Sequence, residues 1–504
     1  MGKLKIFPTQ AECEARAREG ANLLAVQAEM SLDMDTPISV YWKLAQRGDS
    51  FILESADTTQ RQFGRYSFIG TEPLVKVRIF PRRLEIHADN TQRQILGNPV
   101  QTMQEFLQAI VVPQKNPLPT PLASGGLVGY WNYEFAAALD RIRGFELAAD
   151  ELLGEFLLCR RLVVFDALRN TGHLLCFMDI RKETVAAAYA KARKTIAEMQ
   201  AQLLAPRLPI PLPKERPVPL HFLSQVQNAP QDFLQDVQTI QEHILAGDIF
   251  QAVPSRPFTA EVHTPAFLFY RRLRQVNPSP YMFYLHIGQT ELVGASPEML
   301  VKVEAGGKII TYPIAGTRRR GQDAQEDARL AAELTADEKE CAEHSMLVDL
   351  ARNDIGRVCQ AGTVQVTKLR QVEKFSHVLH MVSEVQGKLR ADINPMQVLQ
   401  ATFPAGTVSG APKLRAMEIL HRLEKTPRKA YAGTVGYLDF RGQMDMCITL
   451  RTLRIENGRQ ATIQAGAGIV ADSVPAKEYQ EILQKAKALF EVVEEVENGV
   501  ITFG

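Results

Sequence analysis

Up to about residue 180, apolar and polar side chains alternate in short runs. Leu74-Val75-Lys76-Val77-Arg78-Ile79-Phe80 has the two-residue period of a half-buried strand, and Leu162-Val163-Val164-Phe165 has the unbroken β-branched and aromatic content of a buried one. Gly, Asn and Pro punctuate these runs where turns are needed. Ahead of them, Thr9-Gln10-Ala11-Glu12 reads as a capping box opening an Ala- and Glu-rich helix. An Ala/Lys/Glu segment from about Lys182 to Leu204 predicts a long helix. Pro206, Pro209, Pro211, Pro213, Pro217 and Pro219 then crowd a stretch that can join neither a helix nor a central strand. We place a linker there, over 206–222, between an N-terminal domain (1–205) and a C-terminal domain (223–504).

Beyond the linker, helical periodicity over Gln231 to Ala246, Ala328 to Asp354 and Ala476 to Val493 alternates with strand runs around Gly294 to Val303, Ala432 to Phe440 and Thr462 to Ala465. The order is irregular and has no internal repeat, so the expected class is α+β with antiparallel sheets and flanking helices rather than a doubly wound sheet. A length of 504 residues suits two or three domains. Charge changes the picture only by exclusion. Fifty-eight Lys and Arg against 57 Asp and Glu give +1, which provides no global field for nucleic acid or an anionic membrane, so an anionic substrate must be held by local charges. Six scattered cysteines without a C-x-x-C pair fit reduced thiols in a cytoplasm. No run approaches the ~20 apolar residues of a membrane span.

Three groups of residues could carry chemistry. The first is a pair of E-x-x-E elements. Thr335-Ala336-Asp337-Glu338 caps a helix bearing Glu340 and Glu343, and Asp472, Ser473 and Pro475 open another bearing Glu478 and Glu481, with Lys485 on the same face. Each alone reads as a solvated face. If the two met, the four carboxylates would need a hard cation such as Mg²⁺ between them. The second group is glycine-rich turns. Gly466-Ala467-Gly468-Ile469-Val470-Ala471 fits a loose dinucleotide-binding turn, and Gly406 to Lys413 forms a turn rich in N–H donors with Lys413 and Arg415 beside it. The third is the basic run Thr317-Arg318-Arg319-Arg320, with His344, His377 and His380 as candidate acid or base groups.

Taken in order, Pro313-Ile314-Ala315-Gly316-Thr317, Asp337 through Asp354, Phe403 through Lys413, Tyr431-Ala432-Gly433-Thr434-Val435-Gly436-Tyr437 and Gln464 through Glu481 closely resemble the signatures of the chorismate-utilising enzymes, and within them the anthranilate synthase large subunits. The N-terminal half resembles them more thinly, through Ile52-Leu53-Glu54-Ser55-Ala56, Gly64 to Gly70 and Gly125 to Tyr130. The resemblance implies an enzyme that converts chorismate and ammonia to anthranilate and pyruvate, the first step of tryptophan biosynthesis. It implies Mg²⁺ held directly by Glu343 and Glu481 and through waters by Glu340 and Glu478. It also implies that Gly316, Thr317, Gly466, Gly468 and Lys485 hold the ring carboxylate, and that Tyr431 and Arg451 grip the enolpyruvyl carboxylate.

Glu298 matches the family's general acid, His380 the position acting when a C2 proton leaves with pyruvate, and Gln251 and Thr434 complete the catalytic set that the resemblance implies. Gln251 stands where isochorismate- and salicylate-forming relatives carry a water-activating lysine, and Ala315 stands where aminodeoxychorismate synthase carries a nucleophilic lysine. Glu54, Ser55, Asn277, Pro278, Ser279, Tyr281, Met282 and Phe283 match a tryptophan feedback site. With no Gly-x-Cys-x-Gly setting in this chain, a separate glutamine amidotransferase subunit (component II) is the implied ammonia source. The alternatives are an aminodeoxyisochorismate synthase that retains the enolpyruvyl group, a nucleotide-binding oxidoreductase built on Gly466-Ala467-Gly468, and a silent subunit that binds tryptophan without turnover.

Overall fold

A computed structural model describes residues 4–45, 48–55, 64–88, 91–113, 118, 120–206, 231–374 and 378–499. Most of the proline-rich linker, and His377, lie outside the described residues. Every strand ladder among the described residues is antiparallel, and 21 strands join one continuous array. The α+β class holds.

The array has two arms because two long strands bend. Tyr66–Phe80 pairs with Gly154–Asp166 along its length, but Glu72 sits at φ 54° and Pro73 has no N–H to give the ladder, so the register slips between Pro73 and Val75. Before the slip these strands belong to an arm that runs through Ser50–Glu54, Tyr281–Ile287, Thr290–Ser296, Thr452–Glu456 and Gln460–Gly466 to Ser255–Glu261. After it they belong to an arm that runs through Gly126–Trp131, Thr434–Asp439, Met444–Ile448 and Met299–Val303 toward Val378–Lys388. Strands from the two halves of the chain are thus hydrogen-bonded neighbours, as in Met282 opposite Glu54 and Val435 opposite Tyr130.

The strand period decides which core each residue joins. In Tyr281–Ile287, Phe283, Leu285 and Ile287 enter the core shared with Val435, Leu438 and Met446 of the other arm. Met282 and Tyr284 point to the opposite face, which the helices Gln231–Leu245, Ala266–Val276 and Pro475–Glu497 cover.

Two expectations need correction. The run Gly294 to Val303 is two strands, Thr290–Ser296 and Met299–Val303, parted at Pro297 and Glu298. The helical stretch Ala328 to Asp354 is also two elements, Ala324–Ala336 and Glu338–Gly356. Asp337 parts them, and its side chain accepts from the backbone N–H groups of Lys339 and Glu340.

Candidate active site

A cleft of about 760 Å³ opens beside the Pro297-Glu298 break. A deeper chamber of about 220 Å³ shares Thr317, His380, Thr407, Arg451, Gly468 and Lys485 with it. The cleft collects residues from both E-x-x-E helices, Glu340, Glu343, Glu478 and Glu481, together with Gln251, Ala315, Gly316, Thr317, Arg451 and Lys485. Glu298, Tyr431 and Gly466 line the chamber.

The break in the strand pattern explains where Glu298 sits. Pro297 cannot extend the ladder, so Glu298 leaves the sheet while its carbonyl still accepts from the Ile448 N–H at 3.0 Å. Its carboxylate accepts from the Thr407 hydroxyl at 3.0 Å. Burial pushes its pKa up to about 7 against the opposing pull of that bond and of Lys485 and Arg451. A carboxyl group that keeps its proton near neutral pH is suited to general acid work.

His380 is shifted the other way. Burial holds its pKa down at about 4, aided by the charges of Arg451 and Lys485. Its Nδ1 lies 3.2 Å from the Gly316 carbonyl, which can only accept, and 3.1 Å from the Thr317 hydroxyl. The ring is therefore neutral with its proton on Nδ1, and Nε2 is the basic nitrogen.

Arg451 is part-buried at φ 46°, and desolvation lowers its pKa against the pull of Glu298. The glycines leave room for a ligand. A Cβ on Gly466 would stand 2.6 Å from the Pro254 carbonyl oxygen and 2.8 Å from the Tyr431 hydroxyl, and one on Gly468 would stand 2.6 Å from Gln251 Nε2. Gly316 has φ +74° and faces Glu340. Lys485 donates to the Gly466 carbonyl at 2.9 Å and pairs with Glu481 at 2.7 Å.

The four acidic residues line the same cleft without closing on a common point. Among the described residues no three His, Cys, Asp or Glu side chains converge at metal-binding distance. Glu340 is turned to Arg318 at 2.8 Å, and a Lys339–Asp472 ion pair of 2.7 Å ties the starts of the two helices together. Glu343 and Glu478 are raised in pKa, first by burial and then by the neighbouring carboxylates.

Other candidates lie elsewhere. Thr434 does not line the cleft; it is fully buried and donates to the Cys447 carbonyl at 2.6 Å. His344 is buried with Nε2 2.6 Å from the Ser383 hydroxyl. Lys413 and Arg415 turn away from the turn they flank, to Asp354 and to Asp248 and Glu418. The basic run is neutralised in place by Asp337 and Glu340, Glu326, and Asp327. The antiparallel sheet overturns the dinucleotide-turn reading of Gly466 to Ala471, because a βαβ unit needs a parallel pair.

The residues matched to a tryptophan site divide. Asn277, Pro278 and Ser279 line the large cleft, whereas Glu54, Ser55, Tyr281, Met282 and Phe283 line a separate cavity of about 450 Å³ with Arg65, Lys302 and Asp445. There Glu54 already accepts from the Tyr270 hydroxyl (2.6 Å) and from Arg274 (2.8 Å), while the buried Ser55 hydroxyl has no partner among the described residues. Two contributors carry no signal that the sequence reading used: Thr407, inside a turn read only as a donor-rich loop, and Arg428. Arg428 is buried against Glu424 and donates to the Val253 and Val408 carbonyls, holding two walls of the chamber.

A family model described as chorismate binding enzyme matches residues 49–491. This chain belongs to that family. The protein is an enzyme acting on chorismate. It is 40% identical to "anthranilate synthase component 1" of Acetivibrio thermocellus, over 97% of this chain and 99% of that one. It is 41% identical to the protein of the same name from Geobacillus stearothermophilus, over 94% of each. The crystal structure of anthranilate synthase component I from Streptococcus pneumoniae TIGR4 superposes with a TM-score of 0.70 at 35% identity, covering 85% of this chain and 92% of that one. The menaquinone-specific isochorismate synthase MenF from Escherichia coli, at 20% identity and TM-score 0.71, shares the fold.

Proposed function

We propose that this chorismate-binding enzyme is an anthranilate synthase large subunit: it replaces the 4-hydroxyl of chorismate by ammonia entering at C2, then expels pyruvate to leave anthranilate. The observation that carries this reading is the composition of the cleft and its chamber, in which burial raises the Glu298 pKa to about 7 and lowers that of His380 to about 4, and positions 251 and 315 offer an amide and a methyl rather than an amine. Arg451, with Tyr431 beside it, binds the enolpyruvyl carboxylate through a bidentate fork, and the glycine-lined wall at Gly316, Gly466 and Gly468 admits the ring carboxylate. Glu298 gives its proton to the departing hydroxyl, which leaves as water. Gln251 cannot act as a water-activating base and Ala315 has no nucleophile, so ammonia can take C2. His380 Nε2 then takes the C2 proton as the C3–O bond breaks, and the enolpyruvyl methylene is protonated to pyruvate.

Mg²⁺ fits the donor set, because Glu343 and Glu478 are part-buried carboxylates whose pKa is raised by desolvation and by neighbouring carboxylates, and a hard divalent cation relieves both. Glu343 and Glu481 would hold it directly and Glu340 and Glu478 through waters, and it would supply Lewis-acid stabilisation at the ring carboxylate. Ammonia comes from a separate glutamine amidotransferase subunit. Tryptophan inhibits from the second cavity, a reading that the partnerless Ser55 hydroxyl supports. The residues 277–283 run without a break from the cleft to that cavity, which gives the two sites a shared element to bias.

The test is to incubate the chain with chorismate, ammonium and Mg²⁺ and to follow anthranilate fluorescence together with pyruvate. Both should rise in equal amounts. An aminated product without pyruvate assigns the alternative that retains the enolpyruvyl group, and no consumption of chorismate overturns the reading.

A further inference from the structure

Behind Glu298 lies a fourth cavity, of about 50 Å³, that the chemistry above does not use. Glu298 and Thr407 form its partition from the substrate chamber, since both line the two spaces. Asp354 of the Glu338–Gly356 helix also lines it, and Thr311, Tyr312 and Thr402 complete the polar lining. Each hydroxyl proton is committed: Thr311 donates to the Leu300 carbonyl, Thr402 to that of Val398, Tyr312 to Glu384, and Thr407 to Glu298. The hydroxyls therefore offer oxygen lone pairs to an occupant, while the carboxyl groups of Glu298 and Asp354 can offer a lone pair or a proton. The volume exceeds the ~10–15 Å³ that one water needs, and the lining provides more than the 2–4 partners a water requires.

Asp354 also reaches outward. Its side chain is 20% exposed, and its Oδ2 is 3.1 Å from Lys413 Nζ, with Arg357 the other cation acting on it. Burial raises the pKa of Asp354 as it does that of Glu298, so the cavity is lined by two carboxyl groups whose ionised forms are disfavoured. On its other side Glu298 faces Arg451 and Lys485.

We propose that this rear cavity holds water and relays protons from Asp354 to Glu298, so that the acid regains from behind the proton it delivers to the departing hydroxyl while substrate fills the front. The proposal rests on the reading of Glu298 as the general acid. In each turnover the C4–O bond breaks and one proton leaves Glu298 in the water formed; the C2–N bond forms and the resulting ammonium releases one proton to solvent. The relay returns one proton to Glu298, so none is gained or lost over the cycle. Asp354 touches no substrate and acts only through Glu298.

The bland alternative is that Asp354 and Lys413 merely pin two helices together. Two variants separate the readings: Asp354→Asn removes the outer carboxyl, and Ala351→Leu, on the cavity lining, fills the space while leaving the ion pair intact. The experiment measures chorismate consumption by the full chain with ammonium and Mg²⁺ in H₂O and in D₂O. In both variants kcat should fall about tenfold with KM for chorismate unchanged, and the solvent isotope effect on kcat should grow at least twofold as proton return becomes limiting. If Asp354→Asn does not fold, Ala351→Leu alone decides. Wild-type kcat in the folded variants, or a fall in kcat with an unchanged isotope effect, overturns the relay. Because chorismate consumption is read whatever the product, a wrong product assignment is recognised separately from failure of the relay.

Discussion

Glu298→Gln should make the protein more stable at alkaline pH while removing its activity. In the folded chain burial lifts the Glu298 pKa from 4.5 to about 7, so the native state resists ionising a group that the unfolded chain ionises freely. A raised carboxyl pKa contributes its stabilisation fully below the unfolded value, and that contribution is lost as pH rises through the folded one. At 1.36 kcal/mol per pH unit, the wild type loses ~3 kcal/mol from this group between pH 4.5 and pH 7. Glutamine cannot ionise and keeps an oxygen for the Thr407 hydroxyl, but its amide N–H groups need partners, so we expect a net gain of about 1–3 kcal/mol at pH 8. For a chain of this size that is a few degrees in Tm. The same change should lower kcat by about 10²–10⁴-fold, the usual contribution of a general acid. Calorimetry of both proteins at pH 5 and pH 8, with rates measured in parallel, checks both effects. A Tm difference that is the same at the two pH values would refute the argument that a desolvated carboxyl acts here.

Gly466→Ala should raise KM for chorismate by more than tenfold in steady-state assays, because the Pro254 carbonyl 2.6 Å from the new Cβ is backbone and cannot move aside cheaply. Gly468→Ala meets only the Gln251 amide, the end of a flexible side chain, and should cost several-fold less. Glu343→Gln or Glu481→Gln should nearly abolish activity at ordinary Mg²⁺ with an unchanged circular dichroism spectrum, and activity that persists in both would sink the metal assignment. Ser55→Phe should leave the uninhibited rate in place but raise the tryptophan concentration for half-inhibition at least tenfold, about 1.4 kcal/mol, as read from initial-rate titrations.

Glu54, matched by resemblance to a ligand-binding position, is already engaged by Tyr270 and Arg274, whereas Asp445 lines the same cavity with Lys302 and Tyr281 nearby. Glu54 can meet a ligand only through the carboxylate oxygen that those two donors leave open, since both bonds fall on Oε1. Substitutions at Ser55 therefore probe the cavity more cleanly than substitutions at Glu54, which would also leave the Arg274 charge half-buried and unpaired.

Much of this protein is legible in local chemistry alone. The capping box at Thr9 and Glu12, the helix at Val185–Leu204 and the strand period around Val75 and Val77 rest on contacts within a few residues, and each appears where the sequence places it. The helix Pro37–Leu44 gives no such signal, because burial on several faces erases the polar stripe that periodicity needs. The glutamates, glycines, arginine and histidine of the site can be named from their motifs. What no motif contains is the meeting of residues 298, 380, 451 and 481, or the bend at Pro73 that carries two strands from one arm to the other. Those depend on strand partners distant in the chain, such as Glu54 and Met282 or Tyr130 and Val435. So do the shifts of Glu298 and His380, whose cause is burial: a side chain's charge state is set by what surrounds it, and that is decided only when the two arms pack.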